Sequence, residues 1–165
     1  MKRGFSAKKE GFDCKKWYEI CENKGKTLII IKTEDDYIFG GFTSVGFTND
    51  KTKWLPNNTN LNYSYIEDPN AFLFSLINER KYPEKFTIKP ELSQLAIYYY
   101  RANQGPSFGG GNDIHLNCDL RSGFTFFGNT YNLPDGIKPN TNEAKIYLAG
   151  SYNQWKVDEL ETYFI

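Results

Sequence analysis

The chain is poor in the residues that carry most catalytic and metal chemistry. Its 165 residues include one histidine, one methionine and three cysteines. One imidazole and three thiols make too small a set for a Cys/His zinc site. No metal and no cofactor is expected. No segment approaches the roughly 18 to 20 consecutive apolar residues that span a bilayer. The opening Met1-Lys2-Arg3-Gly4-Phe5-Ser6-Ala7-Lys8-Lys9-Glu10 lacks the apolar stretch of a secretory signal. Membrane insertion is not expected, and a cytoplasmic location is. Neither sign of charge is in excess, with Lys+Arg 20 and Asp+Glu 20. A nucleic-acid binder gathers net basic charge on one face, so nucleic acid is not an expected partner.

Disulfides are also expected to be missing. Cys14 and Cys21 stand seven residues apart on an expected helix. That is about 10 Å along the axis, beyond the reach of an S–S bond. An odd cysteine count with that pair excluded reads as reduced thiols in a cytosolic setting.

Aromatics are abundant. They form 17% of the chain, with 13 Phe and 12 Tyr, and they favour pleated, half-buried surfaces. The length fits one domain, 1–165, which would bury about 70% of its unfolded surface.

One helix is clear, over 13–24. Asp13 is the N-cap, Cys14, Trp17, Tyr18 and Cys21 form one apolar stripe, and Gly25 closes it. Thr27-Leu28-Ile29-Ile30-Ile31-Lys32 reads as a strand buried on both faces. A turn at Glu34-Asp35-Asp36 leads to Tyr37-Ile38-Phe39-Gly40-Gly41-Phe42-Thr43. Its glycine pair marks a bulge or the close approach of another backbone. Residues 46–70 read as a long polar loop tacked down by Trp54 and Leu55. Further strands are expected at 71–77, 86–88, 95–101, 113–118, 124–131 and 144–148, with 157–165 closing the chain. About nine strands with hairpin spacing predict an α+β, mainly β architecture: a sandwich of two antiparallel sheets flanked by one to a few helices.

The run Gln104-Gly105-Pro106-Ser107-Phe108-Gly109-Gly110-Gly111-Asn112-Asp113 joins two of these strands. Gly105, Gly109, Gly110 and Gly111 specify a bent, closely packed connection. The run lacks the Lys and Ser/Thr of a phosphate loop, so a structural turn is the expectation. His115 has Asp113 and Asn117 two residues to either side, a spacing that would suit an oriented imidazole. A surface histidine on an edge strand is the simpler reading. The acidic set Asp113, Asp158, Glu159 and Glu161 is the leading candidate for binding. Glu159 and Glu161 share a strand face. Paired carboxylates can serve acid/base hydrolysis, hold a hard cation or present a negative patch to a basic partner. The bland reading is a solvated face with Lys145 and Lys156 as neighbours.

Several ordered segments together resemble a TLDc domain. They are Gly11-Phe12 with the first helix, Lys24-Gly25-Lys26-Thr27 with its strand, and Tyr37-Ile38-Phe39-Gly40-Gly41-Phe42-Thr43-Ser44. Asp68-Pro69-Asn70-Ala71-Phe72, the glycine-rich run, Phe127-Gly128-Asn129-Thr130-Tyr131 and Leu148-Ala149-Gly150-Ser151-Tyr152 through Glu161 follow in order. The resemblance implies a two-sheet sandwich with flanking helices and no established catalysis. It also implies protection against oxidative stress and binding to the cytosolic part of the vacuolar proton-pumping ATPase, through its peripheral stalk. Two positions depart from the family pattern. Asn112 stands where a histidine is common, and Asp36 where the hairpin usually has glycine.

The expected function is therefore a non-catalytic, monomeric interaction module at the cytosolic face of acidic organelles. An enzyme or direct thiol antioxidant is the alternative. With Cys14 and Cys21 on the apolar stripe, buried inert thiols are the expectation. A structural part of a larger assembly is the third reading.

Overall fold

The structure, a computed structural model, describes residues 1–59 and 62–165. Strand β1 (Lys2–Ser6) runs into one helical turn, α1 (Ala7–Glu10), and then helix α2 (Cys14–Cys21). Strands β2 (Thr27–Thr33), β3 (Ile38–Thr43), β4 (Ser64–Ile66), β5 (Phe72–Ile77) and β6 (Glu84–Thr87) follow. Next come β7 (Ile97–Tyr99), β8 (Ser107–Phe108), β9 (His115–Leu116) and β10 (Ser122–Phe124). Helix α3 (Asn142–Ile146) precedes the long closing strand β11 (Trp155–Phe164).

All strand pairings are antiparallel. The larger sheet runs β6-β5-β3-β2-β11-β10-β9, and β1 also pairs with β11. The smaller sheet is β4-β7-β8. The fold is mainly β, two antiparallel sheets with short helices, as composition and hairpin spacing predict.

Helix α2 forms for the reasons its sequence gives. The Asp13 carboxylate accepts from the Lys15 N–H at 2.9 Å, and Cys14, Trp17, Tyr18 and Cys21 are buried. It ends earlier than Gly25 predicts, because Asn23 takes the left-handed conformation at φ +60°. The buried stripe enters a chain of aromatic contacts. Trp17 meets Phe47 at 5.1 Å, Phe47 meets Phe108 at 5.8 Å, and Tyr18 meets Tyr99 at 5.5 Å between ring centroids. These contacts tie α2 to the smaller sheet and fill the space between the layers.

The glycine pair in β3 does admit close neighbours. A Cβ at Gly40 would strike the Ile29 carbonyl oxygen, and one at Gly41 would strike the Phe108 ring of the smaller sheet. Asp36 adopts φ +66° and completes the β2–β3 hairpin without glycine.

Several expectations need correction. Residues 144–148 belong to a helix and the turn after it. Thr141 caps α3, its Oγ1 accepting from the Ala144 N–H at 3.2 Å, and Glu143 occupies the first turn. The strand expected over 124–131 stops at Phe124, because the following segment folds around Asp113. The loop at 46–70 is not structureless. It holds a 3₁₀ turn at Lys51–Lys53, a bridge between Trp54 and Ile66, and strand β4. Its centre, Asn60 and Leu61, lies outside the described residues. Strand β2 is buried on one face only, with Thr27, Ile29, Ile31 and Thr33 inward and Leu28, Ile30 and Lys32 half-buried outward.

Candidate interaction surface

The glycine-rich run is a structural knot. Gly109 has φ +89°, and a Cβ there would collide with the Asp113 carboxylate. Gly110 and Gly111 have ordinary φ but lie against Leu95 and Asn129, and Gly105 lies against Leu116 and Leu120. Asn112 holds φ +61°, a conformation an asparagine tolerates. Asp113 is fully buried. Its Oδ1 accepts from the Gly128 and Tyr131 N–H groups at 2.9 and 3.2 Å, and its Oδ2 from the Thr130 N–H at 2.9 Å. Burial pushes its carboxyl up to about 6, and these N–H donors act in the opposite direction. No ligand can reach it. Asp68, which the sequence does not single out, is a second buried carboxylate. It accepts from Thr43 Oγ1, the Ser44 N–H and hydroxyl, and the Asn70 N–H, and so ties β3 to the turn before β5.

His115 does sit on an edge strand, but it is not at the surface. It is 6% exposed and stacks on Phe124 at 4.2 Å. Its Nε2 lies 3.2 Å from Asn117 Oδ1, and Nδ1 is buried with no hydrogen-bond partner among the described residues. Burial lowers its pKa from the ordinary imidazole value. Asp113 turns away to the 128–131 segment, so the Asp113-His115-Asn117 alternation assembles no catalytic group.

The cysteine expectation fails in one respect. Comparison of Cys14 with Cys21 alone overlooked Cys118, 104 residues from Cys14, which the fold brings to a Cα–Cα distance of 4.9 Å and into a disulfide. Cys21 is free and buried, and burial pushes its thiol up to about 12. That fits an inert group.

The remaining acidic candidates lie along β11, apart from Asp113. A bulge at Asp158 shifts the register between Val157 and Glu159, leaving Glu159 and Glu161 on the outer face. They do not stand as bare carboxylates. Asp158 pairs with Lys8 at 2.9 Å and Lys32 at 3.5 Å, and the Lys8 hydrogen bond holds its carboxyl below the ordinary range. Glu161 pairs with Arg3 at 3.0 Å and accepts from Tyr163 Oη at 2.8 Å. Glu159 accepts from Ser6 Oγ and the Lys8 N–H, both at 3.2 Å. The neighbours are β1, α1 and β2, not the Lys145 and Lys156 that the sequence suggests. Among the described residues no cluster of His, Cys, Asp and Glu is grouped to hold a metal ion.

Beside this charged border lies a feature that sequence reading missed. Leu28, Ile30, Phe42, Phe72 and Phe74 line the outer face of β2, β3 and β5, half-buried by one another and open to solvent. Phe42 and Phe72 stack at 4.9 Å with 24° between planes. Lys85 Nζ sits 4.1 Å over the Phe72 ring and bounds the patch on the β6 side. Leu76 and Ile77 extend it at 45% and 46% exposure. The signal was present in Ile29-Ile30-Ile31 and Phe72-Leu73-Phe74, whose continuous apolarity reads as burial on both faces. The outward residues could have been told apart only by knowing that no layer covers them.

No helix among the described residues is long and apolar enough to cross a membrane. No curated protein matches the chain closely enough to be read as a relative. The family model for the TLDc domain matches residues 1–164. The match covers the hairpin, the glycine-rich knot and the closing strand in one continuous stretch, and the chain belongs to the TLDc domain family.

Proposed function

We propose that this TLDc domain is a non-catalytic interaction module of the oxidation-resistance type. It binds and regulates the cytosolic part of the vacuolar proton-pumping ATPase through the peripheral stalk, at the cytosolic face of acidic organelles. Family membership supports the partner class. The observation that carries the reading is the open apolar face of β2, β3 and β5 with Asp158, Glu159 and Glu161 along its border. Apolar centres supply affinity and charged rims supply orientation in protein–protein contacts. The non-catalytic reading rests on how the polar groups are used. Asp113 is spent on backbone donors, His115 is packed on a ring, and the β11 carboxylates have internal partners.

The test is binding of the purified domain to the isolated cytosolic sector of the pump by interferometry. Phe72→Gln with Phe74→Gln should weaken binding by more than tenfold, on the scale of a lost hot spot, while thermal melting confirms a folded domain. Lys145→Gln, away from the face, should leave it unchanged. No binding by the wild type, or binding indifferent to the double substitution, overturns the proposal.

A further inference from the structure

The Cys14–Cys118 disulfide is not sealed in the core. It lines a cleft of about 440 Å³ beside the N-terminus of α2. Lys15, Lys51 and Arg101 line the same cleft, with Trp54 and Tyr99 forming apolar wall and no carboxylate among the described lining residues. Lys15, Lys51 and Arg101 are exposed. Lys51 lies 5.7 Å from the Trp54 ring centre. Arg101 pairs with Glu22 at 3.0 Å, and Glu22 also accepts from the Tyr99 hydroxyl and from Asn49 Nδ2. Asp13 and Asp119 flank the cysteines in sequence, but neither lines the cleft. Asp13 caps α2, and Asp119 accepts from the Arg121 N–H.

The two sulfurs are unequal. Cys14 is 1% exposed, whereas Cys118 is half-buried at the cleft wall. A nucleophile entering the cleft therefore meets Cys118 first. Cys14 is the first residue of α2, where the helix dipole favours a departing thiolate. The Cys14 N–H donates to the Cys118 carbonyl at 2.9 Å, so the two segments stay joined when the sulfurs part.

We propose that this cleft is a thiol–disulfide exchange site for small anionic thiols. A thiolate R–S⁻ attacks Cys118 Sγ, the R–S–Sγ bond forms, and the Cys118–Cys14 bond breaks. Its electron pair leaves on Cys14 Sγ, which takes a proton from water. A second thiolate of the same kind attacks the R sulfur and releases R–S–S–R and the Cys118 thiolate. Two thiols are thereby oxidised to one disulfide as the protein disulfide is reduced to a dithiol. Lys15, Lys51 and Arg101 select the anionic thiol. Cys21 takes no part.

Three two-carbon thiols of different charge test this on the full chain: 2-mercaptoethanesulfonate, 2-mercaptoethanol and cysteamine. Alkylation and mass spectrometry should first count one free thiol, Cys21. Reduction rates, corrected to equal thiolate concentration, should favour the sulfonate over the neutral thiol by about tenfold, the lower end of electrostatic steering, with cysteamine slowest. The mixed disulfide should be trapped on Cys118. Lys15→Gln with Lys51→Gln should flatten the series. Three free thiols in the air-oxidised protein, a mixed disulfide on Cys14, or wild-type rates independent of charge would each overturn the proposal. The wild-type series decides alone if the double variant does not fold.

Discussion

Gly41→Ala should destabilise the domain, although the same change in an ordinary strand helps. Glycine loses more conformational freedom on folding than alanine, which favours alanine by about 0.5–1 kcal/mol. Gly41 faces inward on β3, opposite Ile29 and Leu73, under the Phe108 ring. An added Cβ would lie 2.6 to 2.8 Å from three ring carbons. Phe108 is 1% exposed and is held by Phe47, so the ring has nowhere to move. Overpacking costs about 1–3 kcal/mol, and about 2–3 kcal/mol where the ring cannot yield, leaving a net loss of about 1–2.5 kcal/mol after the entropic gain. Urea unfolding followed by tryptophan fluorescence should show a lower midpoint at unchanged slope. The melting temperature should fall by about 2–10 °C, at ~2–4 °C per kcal/mol for a domain of this size. Phe108→Leu alone leaves a cavity and loses about 1–2 kcal/mol. The double variant should lose about 1 kcal/mol less than the sum, because leucine vacates the space the methyl needs. A Gly41→Ala protein as stable as the wild type, or strict additivity in the double variant, would refute a packed contact between the sheets at this point.

The buried Asp113 makes stability depend on pH. Its folded value, raised from 3.8 to about 6, means the folded state holds the proton more tightly than the unfolded chain. Its contribution is therefore full below about pH 4 and is lost as pH rises through 6, amounting to about 3 kcal/mol at ~1.4 kcal/mol per tenfold change in proton affinity. Subtracting the stability profile of Asp113→Asn from that of the wild type should give a curve falling over this window, and a flat difference would count against the assignment. Thr162→Val should remove about 1–3 kcal/mol in urea unfolding. It strands the Trp17 Nε1–H, which donates to Thr162 Oγ1 at 2.8 Å with both residues fully buried. Partner binding should depend only weakly on salt, because Asp158 and Glu161 are already paired with Lys8, Lys32 and Arg3. An association rate that collapses between low and physiological salt would place the contact on the charged border instead of the apolar face.

The legible part of the fold is the part encoded locally. The Asp13 cap and the four-residue stripe after it fix α2, and the β2–β3 hairpin follows from two apolar runs around an acidic turn. The short elements were hidden because distant contacts decide them. Residues 124–131 look like a strand until Asp113 gathers the N–H groups of Gly128, Thr130 and Tyr131. Strand β1 carries too little apolar pattern to be read and forms because β11 offers it an edge. The candidate site fared similarly. The β11 carboxylates are where the sequence puts them, but their partners come from β1, α1 and β2. Spacing arguments reached Cys14 and Cys21, which share a helix, and missed Cys118, 104 residues away.

A single distribution of groups connects these results. Two carboxylates, Asp113 and Asp68, are turned inward and satisfied by hydrogen-bond donors, and this is what closes the glycine-rich knot and the turn before β5. Leu28, Ile30, Phe42, Phe72 and Phe74 lie outside the interior between the two sheets, on the outer face of β2, β3 and β5. Burying a polar group without partners is costly, so bonded polar groups can be spent on fixing the backbone. Leaving phenylalanines half in water is also unfavourable, and a partner that covers them recovers that free energy on binding. The same sequence economy thus leaves little free reactive chemistry on the described surface and a strong incentive to be covered. The cysteine-lined cleft stands apart, because there Cys118 of the disulfide and the side chains of Lys15, Lys51 and Arg101 line one solvent-open surface.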